Sequence, residues 1–477
     1  MTVLIVGAGP TGLTLACDLA RRNVPCRIVD KAAGVFPGSR AKGLQPRTLE
    51  VFDDLGVLDA VLAGGEPFPK FRLYRGHDIV WERSVSDMLG APPLVASPAV
   101  PYPDTWLIPQ WRTEEILHDH LTSLGVRVEW NTEILGVTQD STGVIAHTAH
   151  GDLRADYLVA ADGGHSTVRK TLDIGFAGDT FETERTLIGD VRADGLDGRF
   201  CHILTGNGNV GDRFSLWNLP GSDYYQFVAS MPTDQVPELT LDAVRQLCRD
   251  RSGRTDIHLH NLRWISLYRV SARMVDRYRV GRVLLAGDAA HVHSSAGGQG
   301  LNTGVQDAYN LGWKLAAVYD GADPELLETY EVERMPVAAQ VLGLTTQLHR
   351  QDFHGGTGTP AIHQLDITYR GGPLALDDRD NQGALRAGDR APDGLSASGT
   401  RLFDAFRGPH HTLLTFGAPA PDLALPVVPM PTVEDYDVAA GTYVLVRPDG
   451  YVGAISESAA VIEKYLRRPA RVRAVEA

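Results

Sequence analysis

TVLIVGAGPTGLTLACDLARRNVPCRIVD, Thr2 to Asp30, decides the fold of this chain. An apolar strand-like run, TVLIV, leads straight into GAGPTG. A helical stretch, LTLACDLARR, follows, and a second strand-like run, CRIVD, ends in an acid about 20 residues after the glycines. Gly7 permits a tight turn, Gly9 lets backbone N–H groups reach a pyrophosphate, and Gly12 allows close helix–strand packing at the positive end of a helix dipole. Asp30 is placed to accept hydrogen bonds from a ribose. Pro10, Thr11 and Lys31, in and beside the two turns, complete this first set of candidate dinucleotide contacts.

Composition sets the limits around that motif. A chain of 477 residues with 43% hydrophobic content can bury substantial cores, and its length suggests about three domains. A formal net charge of −14 and no basic stripe argue against a nucleic-acid partner. Cys17, Cys26, Cys201 and Cys248 are far apart, in no CxxC or metal-ligand spacing, and read as free thiols in a reducing compartment. His291 and His293 lack a third ligand at metal spacing, so no metal is expected. No charged n-region with a long apolar run precedes the first strand, and no stretch reaches the roughly 18 apolar residues that span a bilayer. The expectation is a cytoplasmic globular protein with no membrane partner.

Further along, Arg40, Lys42 and Arg47 lie in or beside the glycine-containing loop KAAGVFPGSRAKGLQPRT, either meeting an anion or facing solvent. A helical pattern follows in LEVFDDLGVLDAVL. WLIPQWRTEEILHDHLTSLG reads as a strand end and then a helix whose first turn carries Glu114 and Glu115, as the macrodipole favours. VRVEW, GVIAHTA and DLRADYLVAAD read as a meander. The last ends in ADGGHSTVR, which puts Asp162 and Gly163 at a strand's carboxyl end, where open α/β sheets bind ligands, although Asp-Gly is also a common turn.

Residues 181–275 change texture. FSLWNL, YYQFVASMP and NLRWISLYRV are rich in aromatic and β-branched residues, the pattern of a mostly antiparallel sheet. Trp217, Tyr224, Tyr225, Phe227 and Trp264 either stack on an aromatic ligand or pack a core. GRVLLAGDAAHVHSSAGGQGLNTGVQDAYNLGWKLAAV, Gly281 to Val318, then delivers Gly287 and Asp288 at the end of a buried strand. Its second glycine loop, Gly297, Gly298 and Gly300, precedes a long amphipathic helix starting near Leu301 and Asn302.

In this order and at these separations the three motifs resemble the flavin-dependent aromatic hydroxylases of the para-hydroxybenzoate hydroxylase type, over roughly residues 3 to 340. The resemblance implies that GAGPTG and Asp30 hold the ADP half of FAD. Arg40 and Gln110 match positions contacting the pyrophosphate and ribityl region. Asp162 and Gly163 match a motif associated with FAD and the reduced nicotinamide nucleotide together, and Asp288 matches a ribityl-binding acid. Leu301 and Asn302 match backbone donors to the flavin pyrimidine ring. Family members commonly carry proline where this chain has Ser294 and Ser295. Trp217, Tyr225 and Ser295 are the substrate-side candidates.

The last 90 or so residues resemble the thioredoxin-like domain appended to many such hydroxylases, including those acting on aromatic polyketides and rifampicin. The expected fold is therefore α/β. A Rossmann-like FAD-binding domain (1–180 and 276–370) carries an inserted, mostly antiparallel β-sheet substrate domain (181–275). A thioredoxin-like C-terminal domain (385–477) follows a Gly-, Pro- and Asp-rich linker. Without CxxC, dithiol chemistry is excluded from that domain and a structural or dimer-contact role remains, in a monomer or homodimer. No residue reads as a nucleophile or acid/base dyad, so the cofactor carries the chemistry. By resemblance, NADPH or NADH visits transiently to reduce FAD, O2 adds to give a flavin C4a-hydroperoxide, and an electron-rich phenolic or quinol ring, part of a multi-ring natural product, is hydroxylated. A non-hydroxylating flavoprotein, epoxidase- or halogenase-like, or a ligand-sequestering one, is the alternative; no WxWxIP-type segment is present.

Overall fold

Alternation of short apolar strands with amphipathic helices gives the parallel sheet of the computed structural model, which describes residues 1–90, 92–232, 236–294, 297–350, 360–431 and 436–467. Val3–Val6 pairs in parallel with Cys26–Val29 on one side and Tyr157–Ala160 on the other. Val283–Leu285 extends the sheet beyond Tyr157–Ala160, Val128–Glu129 closes one edge, and Arg279–Val280 closes the other in antiparallel sense. All four residues of Val3–Val6 are buried, as expected of a central strand covered on both faces. The helices Pro10–Arg21 and Gly300–Tyr319 pack against each other over this sheet, so both glycine motifs open onto its carboxyl end.

A second sheet of eight strands runs in the order His291–Val292, His258–Val275, Phe176–Asp194, Tyr224–Met231, Phe214–Asn218, Phe200–Thr205, Lys70–Arg75 and Asp78–Arg83. Neighbours pair antiparallel, except Phe200–Thr205 with Lys70–Arg75, which run parallel. Two strands of this sheet thus come from residues 70–83, outside the 181–275 stretch. The expected meander divides: Gly136–Gln139, Val144–Thr148 and Gly151–Ala155 form a three-stranded antiparallel sheet, whereas Val128–Glu129 and Tyr157–Ala160 join the parallel one. The single helical pattern of LEVFDDLGVLDAVL is two helices, Pro46–Asp54 and Leu58–Ala63, separated at Gly56, whose φ of +78° no helix interior holds.

The C-terminal residues form a five-stranded sheet in the order Leu376–Asp377, Val452–Ser456, Thr442–Val446, Thr412–Phe416, Val427–Met430. The stretch read as a linker belongs to this body. Leu376–Asp377 is one of its strands, and Arg390 reaches back to Glu50 at 2.6 Å. Gly-, Pro- and Asp-rich composition predicts a linker; the ion pairs Arg370–Asp389, Arg379–Asp377 and Arg390–Glu50 hold the segment in place.

Candidate active site

At Gly7 and Gly12 the first glycine turn is built by contacts that only glycine tolerates. Gly7 has φ +106°, and a Cβ there would lie 2.3 Å from the Ala161 carbonyl; a Cβ on Gly12 would lie 1.9 Å from the Gly7 carbonyl. On Gly9 it would meet nothing within 4 Å, because that residue faces open space. The helix begins with Gly9 as N-cap and Pro10 at the first turn, and no side chain caps it. Its leading N–H groups therefore point at a cavity bordered by Gly7, Gly9, Pro10 and Thr11.

Asp30 borders the same cavity with its carboxylate already oriented: Oδ2 accepts from Ala8 N at 2.7 Å and Oδ1 from Ala32 N at 2.8 Å. Lys31 and Arg40 are exposed beside it, the Arg40 guanidinium lying 5.0 Å from the Phe36 ring centroid. Gln110 holds the Arg40 loop, accepting from Ala41 N at 3.0 Å and donating to Glu114 Oε1 at 2.7 Å. Sequence placed Glu114 only as a helix-dipole acid. It also accepts from Phe36 N at 3.1 Å and borders the cavity, where burial pushes its carboxyl up to about 7. The four-residue spacing from Gln110, one face of one helix, was the available signal.

At the other strand ends, Asp162 accepts from Thr167 N at 2.8 Å through Oδ2, while its buried Oδ1 has no partner. Burial raises the Asp162 carboxyl above the usual range. Gly163 beside it has φ +80°. Gly287, at φ +58°, leads into Asp288, whose side chain is accessible from the cavity; the surrounding protein raises its carboxyl by desolvation, opposed by His291 and Arg40. Gly298, φ +62°, and Gly300 bring the chain to the helix Gly300–Tyr319. Its first intrahelical bond runs from Thr303 N to Gln299 O, so the N–H groups of Gly300, Leu301 and Asn302 precede the ladder. The Asn302 side chain is consumed inside the protein, accepting from Gln45 N at 2.8 Å and donating to the Gly43 and Gly298 carbonyls. That ties the second glycine loop to the Lys42–Gln45 segment.

The eight-stranded sheet forms the cavity floor. Trp217 lies on it, edge-on to Phe68 and Phe71, its buried Nε1 without a partner. Tyr225, expected on the substrate side, sits on the opposite face, in the core between the sheet and the helix Leu241–Ser252. Strand alternation is the reason: its neighbour Gln226, paired directly with Trp217, faces the cavity instead. Ser295 lies outside the described residues. Arg47 leaves the cavity group, donating to Glu50 at 2.7 Å and to the Asp449 carbonyl at 2.7 Å. Lys42 joins it. So does His293, the outer member of a buried chain: Asp307 Oδ2 to His291 at 2.6 Å, and His291 to His293 at 2.8 Å.

The cavity measures about 2440 Å³, against roughly 300–1,000 Å³ for the pocket of one drug-sized ligand. The residues fit a flavin dinucleotide. There is an uncapped helix start beside a glycine that leaves space, a ribose-competent carboxylate, and a second carboxylate at a strand end. A second helix start with free N–H groups lies beside them. No group of three metal-ligating side chains occurs among the described residues, and no helix among them is long and apolar enough to cross a membrane.

Residues 1–345 match the family described as an FAD binding domain. A flavin-dependent monooxygenase of Mycobacteroides abscessus is 64% identical over 474 residues, covering 98% of this chain and all of the relative. The rifampicin monooxygenase of Streptomyces venezuelae is 38% identical over 76% of this chain and 74% of the relative. Aklavinone-11 hydroxylase, solved with FAD and aklavinone, superposes with a TM-score of 0.83 at 29% identity, covering 99% of both chains. The glycine turns, the ordered carboxylates and these likenesses converge: the chain belongs to the FAD-binding-domain family and is an FAD-dependent monooxygenase.

Proposed function

We propose that this monooxygenase hydroxylates an electron-rich phenolic or quinol ring of a multi-ring natural product, with NADPH or NADH and O2 as co-substrates. One observation carries the reading: a single cavity runs from the phosphate turn to a floor of Phe68, Phe71 and Trp217, large enough for a dinucleotide and a polycyclic ligand together. The relatives' substrates, rifampicin and aklavinone, point the same way.

On this reading Gly7, Gly9, Pro10, Thr11 and Gly12 hold the pyrophosphate, and Asp30, with Lys31 alongside, takes the adenosine ribose. Arg40, held by Gln110, offsets phosphate charge. Asp162, Gly163, Gly287 and Asp288 receive the ribityl side, and the N–H groups at Gly300, Leu301 and Asn302, approached past Gly298, face the ring. When bound, FAD supplies the redox chemistry, accepting a hydride from the nicotinamide and activating O2 for insertion of one atom into the ring. The chain's own part is to orient and to exclude water: Phe68, Phe71 and Trp217 give the floor an apolar patch, beside which Gln226 and Lys42 stand as polar groups. NADPH consumption and oxygen uptake against a panel of polycyclic phenols test it. The expected result is stimulation by a panel member and a product heavier by one oxygen atom. Stimulated oxidation with no oxygenated product from any member overturns it.

A further inference from the structure

Lys42 is a half-buried lysine that none of these cofactor assignments uses. Its ammonium lies 3.8 Å from the centroid of the Trp217 ring and donates to Gln226 Oε1, while Gln226 Nε2 donates to the Ser39 carbonyl. Lys42, Trp217 and Gln226 all border the cavity, and among the described residues Lys42 makes no ion pair. Trp217 and Gln226 are cross-strand partners, so ring and amide stand side by side beneath the ammonium. The adjoining backbone is fastened to the second glycine loop, Asn302 Nδ2 donating to Gly43 O at 2.9 Å. Lys42 thus stands where the loop assigned to the flavin ring meets the floor assigned to the substrate.

An ammonium carries three donors. Here one goes to a neutral amide, and a π face supplies the remaining stabilisation. The titratable groups around it are Asp190 on Phe176–Asp194 and Cys201 on Phe200–Thr205, with Arg263 acting on Asp190 and Glu66 on Cys201. Burial pushes Lys42 down to about 8 and Asp190 up to about 6. Asp190, fully buried with neither carboxylate oxygen bonded, lies in coulombic reach, but no carboxylate bonds the ammonium itself, so an acceptor entering the cavity can complete its donor set.

We propose that Lys42 binds the reacting hydroxyl of the aromatic substrate as its phenolate, making it the residue that ionises the ring for oxygen attack. The inference rests on the hydroxylase reading above. In the step, the phenol O–H bond breaks and an N–H bond forms on neutral Lys42, leaving phenolate facing ammonium. When Lys42 already carries its proton, the phenol's proton leaves to water and the same pair results. Ionisation enriches the ring carbons ortho and para to the oxygen, where an electrophilic oxygen is accepted.

The test needs no turnover. Alizarin, a hydroxyanthraquinone whose visible absorbance changes on ionisation, is titrated with pH on FAD-loaded protein without nicotinamide. Bound to the wild type or to Lys42→Arg, the dye is expected to ionise about one pH unit or more below the free dye. In Lys42→Met, with FAD still bound and the dye still taken up, that depression disappears. A role in packing alone would alter dye affinity but not the pH at which the bound dye ionises. Equal ionisation in wild type and Lys42→Met overturns the proposal while leaving the hydroxylase reading intact. Failure of the wild type to bind alizarin or any phenol of the panel overturns both.

Discussion

The seam between the C-terminal module and the FAD-binding body, and the cavity a short distance away, both bury charge, but they treat it in opposite ways. At the seam every major charge is bonded. Arg447 donates to Glu333 at 2.6 Å and to Asp449 Oδ2 at 2.6 Å, Lys314 donates to Glu333 at 2.7 Å and Asn310 at 2.8 Å, and Trp313 Nε1 reaches Asp449 at 3.1 Å. In the cavity, Asp162 Oδ1, Trp217 Nε1 and His293 Nδ1 have no partner, and Asp288 and Lys42 make no ion pair among the described residues. A closed polar network specifies how two bodies dock; an open one records where a ligand completes the bonding. Both features sit on the helix Gly300–Tyr319, whose N-terminus faces the cavity and whose middle carries Asn310, Trp313 and Lys314. The appended module therefore braces the helix whose N-terminal N–H groups open onto the cavity.

The sharpest way to break this contrast is to open the closed network. Glu333→Leu leaves Arg447 and Lys314 buried without their shared carboxylate, a loss of about 3–5 kcal/mol. The expected readout is a melting temperature lower by about 3–5 °C, with the flavin absorbance spectrum of the surviving folded protein unchanged. A Glu333→Leu protein as stable as the wild type would show that the seam is not what holds the module.

Asp288→Ala makes the opposite change. It removes a carboxylate that the apoprotein leaves unpaired, so the apoprotein's melting temperature should hold or rise, while FAD affinity falls about 100-fold, the worth of two charge-assisted hydrogen bonds. The purified protein should be colourless. Full yellow colour after gel filtration would sink the assignment of Asp288 to the cofactor.

Glu114 sharpens the contrast through pH. Burial, opposed by bonds from Gln110 and Phe36 N, raises its folded-state value to about 7 from an ordinary 4.5. The neutral form is thus favoured by folding. Its stabilisation is fully present below the unfolded value and is lost as pH rises through about 7, a change on the order of 2–3 kcal/mol. Apoprotein melting temperature should therefore decline from pH 5 to 8 more steeply in the wild type than in Glu114→Gln. Identical slopes would place Glu114 in contact with water.

Much of this was legible in the chain. Gly7 and Gly12 announce themselves because a tight strand-to-helix turn needs backbone geometry that one residue type supplies, and geometry of that kind is local. The division of labour among Arg40, Lys42 and Arg47 was not legible. All three read alike as cations on a glycine loop, yet Arg40 stays exposed, Lys42 enters the cavity, and Arg47 bonds to residues 3 and 402 positions away. Tyr225 and Gln226 show the same limit on a strand: period-two alternation says that one faces the cavity, and only the packing of the helix Leu241–Ser252 says which. The linker failed for a related reason, since Arg390 gives no hint in sequence that Glu50 waits for it.

The smallest expected effect separates two lysines. Lys314, in the seam, has Glu333 at 2.7 Å; Lys42, in the cavity, has an amide and a ring. Burial lowers both lysines to about 8 from an ordinary 10.5, so the difference lies in their partners: Lys314 is bonded to a carboxylate that its loss would strand, whereas the Lys42 ammonium is disfavoured by folding with no bonded carboxylate. That group's contribution to stability is full above the unfolded value and is lost as pH falls through about 8. Lys42→Met, close in length and free of charge, should then raise the melting temperature of the apoprotein at pH 7 by the equivalent of about 1–2 kcal/mol, and the gain should vanish near pH 10. Lys314→Met should lower it at pH 7, because Glu333 and Asn310 each lose a bonded partner. Two substitutions of one chemistry would move stability in opposite directions, which buried volume alone cannot do. If both variants lose stability alike, the lysine in the cavity has a partner within the fold and is not waiting for one.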